Sequence, residues 1–370
     1  MSNINRYQIK NIVIINAVVI LCLIAARSTY AAETNYNTRL DLTYKTIENL
    51  ELKIDICLPK NNSNMQRPTI AFFHGGGLRA GSRKDGFPSL CELVTPHGYN
   101  VASADYRLAP DHKYPDLLDD AQYVIRWLKQ HAETYRIDPN RIIVAGVSAG
   151  ASLASVVGTR NDTRNPAYGL PSYSSKPQGT IVVSGAYDFT DPNLLGSFNP
   201  TSYSLGGNQN YVNEFSAVTH ISSDDGPFLL VHGDADITAL PVQSEWMYEM
   251  LQEVNIPARL IMLPGRDHFG IYQVLLEPTV QTAIMAYLNQ YFTVGSPTTT
   301  PIPTSSPAGN IADLTDEGDT PDNQVNEFDY NVLVGDFGKT GSPGWIKADI
   351  IKNGKVDEFD YNALVGNFGV

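Results

Sequence analysis

The run Gly146-Val147-Ser148-Ala149-Gly150 constrains the fold of this chain more than any other five residues. It follows the apolar stretch 141–145 and precedes the small-residue, helix-like segment 149–158. A strand that turns this sharply into a helix forces its central residue into a strained conformation and lifts that side chain clear of the backbone. Glycines are needed on both sides, because larger residues would collide with the neighbouring strand and helix. Ser148 is thereby placed at the C-terminal edge of a sheet with a helix N-terminus beneath it. It is the candidate nucleophile.

The surrounding pattern fits such a sheet. From Ala32 to about Phe292, strand-like and helix-like segments alternate, which predicts an α/β domain with a mostly parallel, eight-stranded sheet. Strands are expected at 40–46, 51–58, 69–74, 99–104, 141–145, 179–184, 227–232 and 257–263, and helices at 115–134, 149–158, 241–254 and 277–290. Runs such as Ile142-Ile143-Val144-Ala145 and Ile181-Val182-Val183 are apolar throughout, as expected of strands covered on both faces.

A nucleophilic serine needs an oxyanion site, a base and a carboxylate to orient the base. His74-Gly75-Gly76-Gly77 follows a predicted strand, and its glycines let backbone N–H groups turn toward one point. No Gly-Lys-Ser/Thr follows and no G-x-G-x-x-G is present, which disfavours nucleotide binding. Of the seven histidines, His268 lies in the polar loop Pro264-Gly265-Arg266-Asp267-His268-Phe269-Gly270 after a predicted strand. Asp236 falls four residues past the strand that ends at His232, in Val231-His232-Gly233-Asp234-Ala235-Asp236, at the same sheet edge as Ser148, and Asp234 is its rival for the acid role. His232 is read as fixing its own loop. His97, His112, His131 and His220 are read as surface or capping residues.

These motifs resemble those of the hormone-sensitive-lipase-like carboxylesterases of the α/β-hydrolase superfamily, and within them a bacterial feruloyl-esterase-like subgroup. The carriers are His74-Gly75-Gly76-Gly77, Asp105-Tyr106-Arg107-Leu108-Ala109-Pro110, the Gly146 to Gly150 turn, His232-Gly233-Asp234-Ala235-Asp236 and Gly265-Arg266-Asp267-His268. The resemblance implies an α/β-hydrolase fold, with Ser148 as nucleophile, His268 as base and Asp236 as acid. It also implies oxyanion donors from the N–H groups of Gly75, Gly76 and Ala149, an ester substrate, and no cofactor for catalysis. The Asp105–Pro110 run is read as a packing turn. Three features depart from the family: Leu78 stands where many relatives carry an aromatic residue, Thr238 occupies the acid loop, and Pro241 comes later than usual. About 40 residues separate a cleaved leader from the strand 69–74, so an open site is expected, partly covered by 189–220. The rival readings are a peptidase or amidase on the same triad, including arylformamidase-like chemistry, and a binding protein that has lost catalysis.

The two ends read differently. Arg6 and Lys10 precede an apolar run from Ile12 to Ala26, and Thr29-Tyr30-Ala31 fits a small-x-small cleavage site. A signal peptide over 1–31 is expected, with an uncleaved anchor as the alternative, so the body is secreted or surface-held and not stably inserted in a membrane once the leader is removed. Cys57 and Cys91 then remain in the body. Two buried thiols are the simplest reading, with a disulfide between them left open. Residues 293–309 are rich in Pro, Thr and Ser and form a linker.

Beyond the linker, Asp329 to Gly338 recurs as Asp360 to Gly369 with eight of ten positions identical. Charge is concentrated here. The chain carries 26 Lys+Arg against 39 Asp+Glu, net −13, and residues 308–370 alone hold 12 acidic against 4 basic side chains. That balance argues against nucleic acid as a partner. Asp349, Asn353, Asp357 and Asp360 fall at positions 1, 5, 9 and 12 of an EF-hand-like loop, with Gly354 at position 6. Repeated twice, the pattern resembles a type I dockerin, which implies a small all-α module over 310–370, Ca²⁺ as its ion and a cohesin-like scaffold protein as its partner. Ile351 supplies no ligand at position 3, and the first loop begins at Gly318, leaving Asp322 and Asp329 as its ligand candidates. Both repeats carry Glu-Phe, at Glu327-Phe328 and Glu358-Phe359, at the positions that help select a dockerin's partner. Carbohydrate esters such as acetylated or feruloylated plant polysaccharide are suggested by the association with such a module.

Overall fold

A computed structural model of the chain describes residues 34–60, 65–160, 170 and 172–294. The leader, the linker beyond Val294, the repeat and all six calcium-ligand candidates (Asp322, Asp329, Asp349, Asn353, Asp357, Asp360) lie outside the described residues.

Each of the eight expected strands forms: β1 (Tyr36–Ile47), β2 (Leu50–Pro59), β3 (Arg67–Phe73), β4 (Asn100–Ala104), β5 (Ile137–Val147), β6 (Gly179–Val183), β7 (Phe228–Gly233) and β8 (Ala258–Leu263). They make one sheet in the order β1-β2-β4-β3-β5-β6-β7-β8. β1 with β2 and β2 with β4 are antiparallel, and the remaining neighbours are parallel. The helices are α1 (Phe87–Val94), α2 (Asp116–Gln130), α3 (Ala132–Tyr135), α4 (Ala149–Thr159), α5 (Gln209–Phe215), α6 (Val242–Glu253), α7 (Ile271–Val274) and α8 (Pro278–Tyr291). The helix expected over 115–134 is interrupted at His131, whose ring Nδ1 lies 2.8 Å from the Trp127 carbonyl and whose ring stacks on Trp127 at 4.1 Å.

Successive side chains of a strand point to opposite faces, and here both faces are covered. Ala71, Phe73, Ile142 and Val144 face a core shared with α2, α4 and α6, while Ile70, Phe72, Ile143 and Ala145 face a second core shared with α1 and α8. The continuous apolar runs follow from this three-layer packing. Cys57 of β2 and Cys91 of α1 form a disulfide, with Cα atoms 6.1 Å apart, so the simplest reading of two free thiols is corrected. The pairing depends on α1 lying over β2, a contact between segments 34 residues apart.

Strand order reverses between β3 and β5. The chain runs outward from β3 to β4 on one side and from β5 to β6, β7 and β8 on the other. Loops leaving the C-terminal ends of two such strands diverge and leave a crevice, the usual ligand site of an open α/β sheet. Phe73 is in register with Gly146, so the His74–Gly77 loop and Ser148 leave the sheet side by side at this point. Among the described residues, no helix is long and apolar enough to cross a membrane.

Candidate active site

Ser148 sits between β5 and α4 with φ 54° and ψ −125°, outside the regions L-residues favour. Such a conformation costs on the order of 1–3 kcal/mol and persists only where the surroundings over-determine it. Here the Ser148 N–H donates to the Val183 carbonyl at 2.8 Å, and the Ser148 carbonyl accepts from Ala151 and Ser152 in the first turn of α4. The flanking glycines are steric necessities. A Cβ on Gly146 would lie 2.2 Å from the Gly150 carbonyl oxygen, and one on Gly150 would lie 2.2 Å from that of Phe73.

The expected partners converge on this serine. Ser148 Oγ lies 2.8 Å from His268 Nε2, and His268 Nδ1 lies 2.6 Å from Asp236 Oδ2. A carboxylate is only an acceptor at neutral pH, so the imidazole proton resides on Nδ1 and the Nε2 lone pair faces the hydroxyl. The loop from β7 delivers Asp236 and the loop from β8 delivers His268, the two strands being parallel neighbours. The Asp236 carboxylate is fully buried, and its Oδ1 accepts the N–H groups of Thr238 (2.8 Å) and Ala239 (3.0 Å). Burial pushes its pKa up, but contacts from His232 and His268 and the Thr238 N–H outweigh that and hold it well below the usual carboxylate range.

Asp234, the rival acid, is exposed and accepts the Gly265 N–H at 2.6 Å, which ties together the β7 and β8 loops. His232 is completely buried. Its Nε2 lies 2.9 Å from the Ala239 carbonyl and 3.5 Å from Asp236 Oδ2, and its Nδ1 lies 2.6 Å from Ser244 Oγ. It braces the acid loop, as its position in the sequence suggested. Despite the departures at Thr238 and Pro241, the loop brings Asp236 into place because the Thr238 N–H itself caps the carboxylate.

The glycine loop is shaped by its backbone. Gly76 and Gly77 have φ of +117° and +65°, and a Cβ on Gly76 would fall 2.1 Å from the carbonyl oxygen of Ala80, whose N–H closes the turn by donating to the Gly76 carbonyl at 3.0 Å. His74 stacks on Tyr106 at 4.4 Å, and the Tyr106 hydroxyl donates to the His74 carbonyl at 2.8 Å, so the Asp105–Pro110 run packs beneath this loop. Leu78 is fully buried, and its carbonyl accepts the Ala109 N–H at 2.8 Å. An apolar anchor under the loop therefore stands where many relatives carry an aromatic residue. Among the described residues, no backbone carbonyl takes the Gly76 or Ala149 N–H, leaving both available as oxyanion donors. The Gly75 N–H, also expected in that role, is engaged instead. It donates to the Tyr272 hydroxyl at 2.8 Å.

Part of the expected cover over 189–220 is tied to the site from both sides. The Tyr203 hydroxyl donates to the Gly77 carbonyl at 3.1 Å, with the Arg79 guanidinium 4.8 Å from the Tyr203 ring. The N–H groups of Ser197 and Phe198 donate to the carbonyls of Ile237 and Thr238 on the acid loop. Gln243 of α6 fastens the segment's start, accepting the N–H groups of Tyr187 and Asp188 and donating to the carbonyls of Asp188 and Leu194. Tyr203, Gln243 and Tyr272 carry no motif signal, and sequence reasoning did not single them out. Among the described residues, no cluster of three or more His, Cys, Asp and Glu is arranged to hold a metal ion.

The BD-FAE family model matches residues 54–251 of the 370, more than half of the chain. The chain belongs to the BD-FAE family. The matched span of this BD-FAE member includes Ser148 and Asp236 and stops before His268. Esterase LipC of Mycobacterium tuberculosis is 27% identical over 64% of this chain and 62% of its own length. The chain spans less than two thirds of the length of the curated relatives it matches. Among solved structures, a truncated carbohydrate esterase from gut microbiota has a TM-score of 0.60 at 20% identity, covering 70% of this BD-FAE chain and 98% of its own. The butyrate-bound thermophilic esterase Est2 from Thermogutta terrifontis has a TM-score of 0.61 at 24% identity, covering 72% and 99%. These two likenesses show the shared α/β-hydrolase fold.

Proposed function

We propose that this protein is a secreted serine hydrolase of carboxylic esters, acting through Ser148, His268 and Asp236. The observation that carries the reading is the continuous relay from Ser148 Oγ to His268 Nε2 and from His268 Nδ1 to Asp236 Oδ2, at 2.8 and 2.6 Å. Family membership and the esterase relatives support the same chemistry.

In the first step Ser148 Oγ attacks the ester carbonyl while its proton passes to His268 Nε2, and the C=O electron pair moves onto oxygen. That charge is held by the Gly76 N–H in the loop after β3 and the Ala149 N–H at the N-terminus of α4. Collapse re-forms the carbonyl and breaks the bond to the alcohol oxygen, which leaves with the proton from His268. Water then attacks the acyl-enzyme by the same route and releases the acid and free Ser148. The buried, ionised Asp236 holds the imidazole in the productive tautomer and stabilises its protonated form.

The finer reading is of acetyl or feruloyl esters on plant polysaccharide, with residues 310–370 serving as a calcium-loaded dockerin-like module that docks on a cohesin-like scaffold. It rests on the repeat and its acidic loops. The exposed side chains beside the triad, Ile237 next to Asp236 and Phe269 next to His268, suit a broad substrate, being 74% and 86% exposed. The Cys57–Cys91 disulfide and the apolar leader support export to an oxidising compartment.

The test is a panel of acetyl, feruloyl, longer acyl and peptide substrates offered to the wild type and to Ser148→Ala. Ester turnover lost in Ser148→Ala is the expected result. Turnover of anilides or peptides alone would overturn the ester reading, and no turnover of any member would favour a binding protein.

A further inference from the structure

The loop that brings in the base ends in the short helix α7, which places Tyr272 four residues after His268. The Tyr272 hydroxyl accepts the Gly75 N–H at 2.8 Å. Gly75 itself lies against the nucleophile, since a Cβ built on it would be 3.2 Å from Ser148 Cβ and 3.4 Å from the Tyr272 oxygen. The phenol oxygen and Ser148 therefore flank a single backbone position in the crevice.

The ring is placed by packing. Gly86, at the start of α1 with φ +75°, leaves room where a Cβ would fall 2.8 Å from the Tyr272 ring and 3.2 Å from the Phe72 ring. Burial pushes the Tyr272 pKa up to about 12, so the phenol keeps its proton through the neutral range. Its oxygen already accepts the Gly75 N–H, and among the described residues no hydrogen bond takes its proton. A hydroxyl whose oxygen accepts a hydrogen bond is polarised and becomes the better donor.

We propose that Tyr272 is a catalytic residue of this site: its hydroxyl, polarised by the Gly75 N–H, donates to the ester carbonyl oxygen as negative charge develops there, beside the Gly76 and Ala149 N–H groups. The Gly75 amide thus serves the oxyanion through Tyr272 rather than directly. No proton changes owner in this contact. The hydrogen bond strengthens as charge builds, which is the condition for lowering the barrier rather than only binding substrate. The inference rests on the serine-esterase reading.

The test compares wild type, Ser148→Ala and Tyr272→Phe on a short-chain aryl ester, together with inhibition by a trifluoromethyl ketone, which forms a tetrahedral adduct on serine. Phenylalanine keeps the ring that packs on Gly86, and an unchanged circular dichroism spectrum and melting temperature verify that the variant is folded. Removing one oxyanion donor typically lowers kcat by about 10²-fold or more. A fall of that order in Tyr272→Phe is expected, with KM changed less than a few-fold and ketone affinity reduced in parallel with kcat/KM. Tyr272→Phe with unchanged or higher kcat would show that the phenol merely occupies the crevice, and would overturn the proposal. So would a lowered kcat with undiminished ketone affinity. Failure of the wild type to cleave the ester, or full activity in Ser148→Ala, would instead overturn the esterase reading itself. If Tyr272→Phe unfolds, Gly86→Val provides the second variant. It crowds the ring while leaving the hydroxyl in the chain, and undiminished kcat and ketone affinity in a folded Gly86→Val protein would overturn the proposal.

Discussion

Asp234 and Asp236, two residues apart on one loop, serve different partners: Asp236 Oδ2 meets His268 Nδ1 at 2.6 Å, whereas Asp234 Oδ1 accepts the Gly265 N–H at 2.6 Å. Both contacts reach the loop after β8. Only the buried one touches the imidazole. The exposed one clamps the loop that carries it.

Asp236→Asn is therefore expected to lower kcat by about 10⁴-fold, because an amide donor facing Nδ1 favours the wrong imidazole tautomer. Asp234→Asn is expected to stay within about tenfold of wild type, since it weakens one exposed contact and leaves the triad intact. Steady-state kinetics on an aryl ester decide. Equal losses in the two variants would contradict the assignment of the acid.

Gly150→Ala tests the close approach of α4 to β3. The added Cβ would meet the carbonyl oxygens of Phe73 and His74 at 2.2 and 2.4 Å, and both are backbone atoms. Since neither yields as a flexible side chain does, destabilisation of about 3 kcal/mol or more is expected. Urea unfolding measures it, and a near-wild-type midpoint would show that the turn is wider than described.

Removing the disulfide is expected to affect stability without affecting chemistry. Cys57 is opposite Val101 near the start of β4, toward the sheet edge away from Ser148. The double variant Cys57→Ala/Cys91→Ala should lose about 2–4 kcal/mol and keep kcat within about twofold. Reductant should lower the wild-type midpoint and leave that of the double variant unchanged.

The depressed pKa of Asp236 sets a pH dependence. A carboxylate whose folded-state pKa lies below its unfolded value, about 3.9, stabilises the fold fully above that value and loses the contribution as pH falls toward the folded-state pKa. Wild-type stability should thus decline below about pH 4, more steeply than that of Asp236→Asn, which has no group to protonate there. Urea midpoints at a series of acidic pH values read the difference. Parallel curves would mean that the carboxylate is not held in its ionised form by the fold.

For the C-terminal repeat, calorimetric titration of the intact chain with Ca²⁺ should show binding that Asp349→Ala and Asp360→Ala weaken. Heat of binding unaffected by both substitutions would remove these loops as the site.

Much of the candidate site is legible from local pattern. Ser148 is marked by a glycine-flanked turn after an apolar strand, and Gly76 by a glycine triplet of which Gly76 and Gly77 take φ values that only glycine adopts without strain. The central strands β3, β5, β6 and β7 are legible because a sheet covered on both faces writes apolar runs, whereas β1 is mostly exposed and carries no such run. Helix interruptions are less so, since the break at His131 depends on its ring finding the Trp127 carbonyl and indole. Gln243 and Tyr203 are ordinary residues until folding sets the 189–220 segment, which carries Tyr203, against Gln243 and the Gly77 carbonyl.

By itself, the sequence determined the α/β fold and pointed to the candidate nucleophile and candidate base, because strand periodicity and glycine sterics are properties of a few consecutive residues. Only the tertiary structure decided between Asp234 and Asp236, joined Cys57 to Cys91, and put the Tyr272 hydroxyl on the Gly75 N–H. Each of these depends on contacts between segments 30 to nearly 200 residues apart. Sheet register and helix packing set such contacts at a distance, and nothing in the neighbouring residues encodes them.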